Sequence, residues 1–172
     1  MRIQLPFNLG KLWVVLSQGQ ALHAKSLFHS NLIVRKFTDG QLVMEKNLGD
    51  GVVTNAGVNL MAADWTNTTA TLKLMNYHDT GTGTLTPLAA DTALQLPTGM
   101  TRGIGNQANS TNIYTTTANV SFTSTFLITE WGLFSAAASG TMWDHKTWSG
   151  TSVNNGDILQ FVYQLSITSG GY

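Results

Sequence analysis

Residues 157–168 read DILQFVYQLSIT, and this alternation leaves the chain little freedom of fold. In an extended chain Leu159, Phe161, Tyr163, Leu165 and Ile167 point one way, and Gln160, Gln164, Ser166 and Thr168 the other. A helix would scatter the apolar set around its circumference, so the period of two demands a strand with one face in a core. The stretch NIYTTTANVSF repeats the pattern, with Tyr114, Thr116, Ala118, Val120 and Phe122 opposite Thr115, Thr117, Asn119 and Ser121. TLKLMNYHD, from residue 71, also alternates and is expected to form a strand. Strands at this spacing, joined by turns such as NNGD at 154–157, predict an all-β fold, an antiparallel, jelly-roll-like β-sandwich.

Two local signals refine the outline. Thr38-Asp39-Gly40-Gln41 separates two short β-rich runs, and Asp-Gly tolerates the positive φ angles of a tight hairpin, so residues 31–46 should form one. After Gly49-Asp50-Gly51, Thr54 is a suitable N-cap for the helix formers Leu60, Met61, Ala62 and Ala63. One short helix over about 55–64 is expected.

Residues 1–30 read differently. Gly10 and Gly19 interrupt any helical stripe, and the apolar residues do not alternate, which predicts an extended arm with a strand at 11–16, preceding a sandwich domain at 31–172. Phe7, Leu12, Trp13 and Phe28 are its candidate partner-binding residues, because an arm so apolar must fold back or dock on a neighbour. The run KLWVVLSQGQALHA is too short, and too interrupted by Ser17, Gln18 and Gln20, for a signal peptide or membrane span, so no membrane partner is expected.

Charged residues make up 10% of the 172 and balance to a formal net charge of zero. That is far below the roughly 25% of an ordinary domain, and it leaves no basic field for nucleic acid. Residues 1–50 are mildly basic and the remainder mildly acidic. A surface polar through hydroxyls and amides repels its neighbours weakly, which suits a chain packed against copies or partners. Without cysteine there is no disulfide framework or thiolate metal site.

No catalytic, metal or cofactor assignment follows from the remaining chemistry. Of His23, His29, His78 and His145, none sits in a nucleophile-elbow context. Tyr77-His78-Asp79 and Asp144-His145 place imidazole beside carboxylate, but strand neighbours point to opposite faces, so neither pair chelates, and solvent-facing histidines are expected. Glu130, Asp144 and Asp157 could supply a glycosidase pair. Asp157, however, is explained by capping of its turn, and Asp144 by an exposed polar stretch with His145 and Lys146. GTGT at 81–84 and RGIGN at 102–106 lack the context of phosphate loops. Trp131, Trp143 and Trp148 could contact sugar or protein. Glu130 itself, inside ITEWGLF, is either an acid in an apolar pocket or a structural group held by backbone N–H bonds from the adjoining turn, and the second reading is favoured.

The segment ITEWGLFSAAASGTMWDHKTWSGTSVNNGDILQFVYQLSIT resembles a pattern of tailed-bacteriophage virion structural proteins. Its elements here are Ile128, Thr129, Glu130, Gly132, Leu133 and Phe134, then Gly140-Thr141-Met142, then Gly156-Asp157 and the terminal strand. YHDTGTGTLTPLAADTAL upstream is similar to the same family, and the resemblance spans about residues 50–170. Trp131 departs from the small residue usual at its position and is either core filling or a contact of the assembled particle. The resemblance implies a structural motif at Glu130, Gly132, Phe134, Gly156 and Asp157, no catalytic role, and a place in the virion. The expected function is a non-enzymatic capsid decoration or cement protein, a homo-oligomer and specifically a trimer, bound to the major capsid protein. The alternative is a tail-collar or tail-fibre component contacting tail subunits or a host glycan.

Overall fold

In the computed structural model, which describes residues 28–66 and 71–168, two five-stranded antiparallel sheets pack face to face. The strands are β1 (Phe28–Thr38), β2 (Gln41–Gly49), β3 (Val52–Val53), β4 (Tyr77–Gly81), β5 (Gly103–Ile104), β6 (Asn106–Ser110), β7 (Ile113–Ser121), β8 (Phe126–Phe134), β9 (Met142–Val153) and β10 (Ile158–Ile167). One sheet runs β2-β1-β10-β7-β6 and the other β3-β9-β8-β4-β5, with every pairing antiparallel. The strand read most confidently from sequence, β10, lies at the centre of the first sheet, between β1 and β7.

The core lies between the sheets, and alternation fills it. Leu32 and Val34 from β1, Val120 from β7, and Leu159, Phe161, Tyr163 and Leu165 from β10 meet Ile128, Trp131 and Leu133 from β8 and Trp143 and Val153 from β9. Trp131 is fully buried and stacks on Tyr163, with ring centroids 5.4 Å apart, so this large aromatic fills the core. Its indole N–H donates to His78 Nδ1 at 3.2 Å, and His78 Nε2 faces Thr116 Oγ1 at 3.2 Å. Burial drives the His78 pKa down to about 3, so the ring is neutral and carries its single proton on Nε2, toward Thr116. The expectation of a solvent-facing His78 is corrected: it is a core residue paired with a tryptophan.

The local turn chemistry holds. Asp39 and Gly40, at φ 50° and 75°, join β1 to β2. Thr54 caps helix α1 (Asn55–Asp64): its hydroxyl accepts from Gly57 N at 3.0 Å and donates to the Met142 carbonyl at 2.5 Å. One buried side chain thus starts the helix and ties it to β9.

Two boundaries differ from the sequence reading. Residues 72–74 form a single 3-10 turn and the strand begins only at Tyr77, because the Asp64 carboxylate accepts the amides of Thr71 and Leu72 and satisfies them locally. The sheet also begins at Phe28, so residues 28–30, assigned to the arm from sequence, belong to β1, where Phe28 packs edge-on against Trp143 at 5.8 Å. The expected strand at 11–16, together with Phe7, Leu12 and Trp13, lies outside the described residues.

The outer face of the second sheet is covered. Between β4 and β5, residues 82–102 carry no helix or strand of their own, and Leu94 from this loop packs on Phe134 and Met142, with half-buried Tyr77 beside them. Such long loops in compact domains are uncommon and usually functional.

Thr54→Ala should cost about 2 kcal/mol, the sum of a lost cap and an orphaned buried carbonyl. Thr54→Ser should restore most of it, as measured by urea unfolding.

Candidate functional site

The ITEWGLF strand is buried on both faces, and the loop over its outer face converges on Glu130. This carboxylate has no solvent exposure. Its Oε1 accepts from Gln95 N at 2.6 Å, and its Oε2 accepts from Leu96 N and Gly83 N, each at 3.2 Å. Three backbone donors hold it, as the structural reading expected. They come, however, from the β4–β5 loop 34 to 47 residues upstream and not from the adjoining 135–141 turn.

Room for the carboxylate is made by missing side chains. A Cβ on Gly83 would lie 2.6 Å from Glu130 Oε2, and one on Gly81 would overlap that oxygen. The Gly-x-Gly of TGTGT is therefore the seat of Glu130 and no phosphate loop. Gly132 does the same for Leu94, which would lie 2.9 Å from a Cβ there, with Phe134 Cε2 at 2.8 Å.

A fourth donor comes from β9. His145, fully buried, places Nε2 2.8 Å from Glu130 Oε1 and Nδ1 2.7 Å from Asp91 Oδ2. Asp91 Oδ2 also accepts from Leu88 N at 2.8 Å. Burial alone would raise Glu130 and lower His145. The bond and charge of His145 with the amides of Gln95 and Leu96 hold the carboxyl below its usual range, and the bonds and charges of Glu130 and Asp91 hold the imidazole above its own. The signs follow from linkage. The His145 contribution is complete below about pH 6.5 and is lost as pH rises through its raised pKa, whereas the Glu130 contribution is complete above about pH 4.5 and is lost as pH falls. Both ring nitrogens face carboxylates, so neither is left to take a proton from a nucleophilic hydroxyl.

Other polar groups brace the same face. Arg102 pairs with Asp79 at 2.8 Å, donates to the carbonyls of Ala136 and Ser139 at 2.7 Å each, and lies 3.7 Å over the Phe134 ring. It fixes the small-residue turn that follows ITEWGLF. At the opposite end of the sandwich Asp157 accepts from Asn154 N at 2.7 Å and from Thr38 Oγ1 at 2.6 Å, and it pairs with Lys36 at 2.9 Å. Thr38 and Lys36 hold its carboxyl down to about 2. Gly156 takes φ 90° in that turn.

Of the motif residues, the structure brings Glu130, Gly132 and Phe134 to one face and leaves Gly156 and Asp157 as a separate turn. Two further expectations are corrected. Asp144 and His145 are not an exposed polar stretch but fully buried, since β9 is covered by the loop on one side and the core on the other. Trp131 and Trp143 are buried, so they present no surface to a glycan. Asp91 and Gln95 escaped the sequence reading, and His145, read there as solvent-facing, joins them at Glu130.

Asp144 is the least comfortable group. Its Oδ2 accepts from Tyr163 Oη at 3.0 Å, its Oδ1 meets no hydrogen-bond donor in good geometry among the described residues, and burial pushes its pKa up to about 7. Among the described residues no cluster of three or more His, Cys, Asp or Glu side chains is arranged to hold a metal ion. No family model, curated protein or solved structure matches the chain.

Because its carboxyl titrates above the unfolded value, Asp144 destabilises the fold fully above about pH 7 and not at all well below pH 4. Asp144→Asn should therefore stabilise by on the order of 3 kcal/mol at pH 8 and by almost nothing at pH 4. Gly83→Ala should destabilise by about 2 kcal/mol at pH 8, through displacement of the Glu130 carboxylate, and by no more than that at pH 4. Denaturant titrations at the two pH values check both.

Proposed function

We propose that this chain is a non-enzymatic virion structural protein of a tailed bacteriophage, one that decorates the capsid, binds the major capsid protein and stabilises the particle. The observation that carries the reading is what the Glu130 site holds in place. Its four donors fix a loop that displays Leu85, Leu88 and Leu96 at 71%, 60% and 59% exposure. Gln95 clamps the loop further, accepting from Leu85 N and donating to Leu85 O, both at 2.9 Å. Apolar side chains on a fixed backbone lose little entropy when they dock, which favours binding. The resemblance of ITEWGLF and of the Gly-x-Gly loop to virion proteins supports the same reading. These two motifs, distant in sequence, form one structure.

Low charge suits assembly with copies of itself, as a homotrimer, and with other virion subunits. The arm, counted now as residues 1–27, supplies a second anchor through Phe7, Leu12 and Trp13. A tail-collar or tail-fibre component would use the same surface on other tail subunits. A high copy number per virion would mark decoration, and a low one a collar or fibre.

The test is binding to particles that lack the protein. Combined Leu85→Ser, Leu88→Ser and Leu96→Ser should weaken binding at least about tenfold with the fold intact, since a few apolar anchors dominate such interfaces. Deletion of residues 1–27 should weaken it independently. Unchanged binding by both variants would contradict the proposal.

A further inference from the structure

His145 is held between two acceptors. An ionised carboxylate has no proton to give, and a neutral imidazole has only one N–H, so both short contacts can be hydrogen bonds only when the ring carries two protons. Loss of one proton must leave one carboxylate facing a lone pair. The two sides are unequal. Glu130 is sealed from solvent, whereas the Asp91 side chain keeps 24% exposure and can exchange its bond for water. The remaining proton therefore stays on Nε2, toward Glu130, and the Asp91 bond breaks.

What Asp91 holds is a turn. Its carboxylate accepts from Leu88 N, its own amide donates to the Leu88 carbonyl at 3.0 Å, and the Ala89 carbonyl accepts from Asn55 N at the start of α1. We infer that Asp91 and His145 form a proton-dependent latch, closed while the imidazole is doubly protonated, which fixes the 88–91 turn and with it the exposed Leu88. The Glu130 end stays shut in both states, so the opening is confined to this turn. Among the described residues, Asp91 on the loop and Glu130 on β8 are the ionisable groups bonded to His145. The facing positions of β3 and β8 are Val52 and Gly132, and its strand neighbours are engaged elsewhere: Asp144 with Tyr163, and Lys146 with the Asp50 carbonyl. The geometry agrees with the raised basicity of the ring, and opening belongs above its ordinary titration range.

An asparagine at 91 keeps the shape and removes the charge. Its carbonyl oxygen, placed where Oδ2 lies, can accept from both Leu88 N and a protonated Nδ1, but without the carboxylate the ring gives up its second proton at lower pH. Amide hydrogen exchange, corrected for the intrinsic pH dependence, is the direct test. Between about pH 6 and about pH 9 the protection of Leu88 and Asp91 should fall at least about tenfold in the native protein, while that of Gln95 and Leu96 holds. In Asp91→Asn the fall should come at lower pH, leaving a smaller change over the same range. Native protection that does not change with pH, or an unchanged pH dependence in Asp91→Asn, would overturn the latch. Any consequence for assembly rests on the docking role proposed above. Particle binding that ignores the opening would count against Leu88 as a docking residue, while the exchange data decide the latch.

Discussion

A carboxylate removed from water must find donors or take up a proton, and at Glu130 the donors come from three parts of the chain. Gly83, Gln95 and Leu96 supply backbone amides from one loop and His145 an imidazole from β9, while Gly81 and Gly83 leave the space the oxygens occupy. With that set in place, twenty-one residues without regular structure lie fixed on the sheet, Leu94 seals the Phe134–Met142 cluster, and β8 is buried on both faces from Ile128 to Phe134. An ionised group so enclosed contributes specificity of position more than net stability, because its desolvation offsets much of what its bonds return.

The division of labour between the sheets follows from this. The first sheet behaves as alternation demands, apolar inward and polar outward along β7 and β10. The second uses its outer face as a platform, and its polar residues there are bonded to the loop rather than to water. The acidic and basic groups that resemble catalytic pairs, His145 with Asp91 and Glu130, are joints between the platform and what lies on it.

How far the sequence could reveal this depends on the range of the physics involved. Asp39-Gly40 and Thr54 act within a few residues, so the turn of the hairpin and the helix were legible to within a residue, while the hairpin strands run three residues beyond the expected 31–46 at each end. Alternation in β7 and β10 reports a one-sided environment and was legible too. In β8, from Ile128 to Phe134, every residue is buried, so alternation carries no information about which side faces what. The burial of Asp144 and His145 was lost for the same reason, and register shifts between β8 and β9 further scramble the parity of neighbours. Glu130 was legible as a structural carboxylate, but its backbone donors were not, because they arrive from 34 to 47 residues away. At 71–76 an apparent alternation gave way to a tight turn, since Asp64 offered the backbone a closer partner than a neighbouring strand.

The most direct measurement is residue-resolved amide exchange on Glu130→Gln, in which an amide group replaces one oxygen and brings N–H groups toward donors. If Glu130 organises the loop, protection at Gly83, Gln95 and Leu96 falls together while the central amides of β10 keep theirs. Protection retained at all three loop amides, or lost equally in β10, would contradict the central role given to this carboxylate.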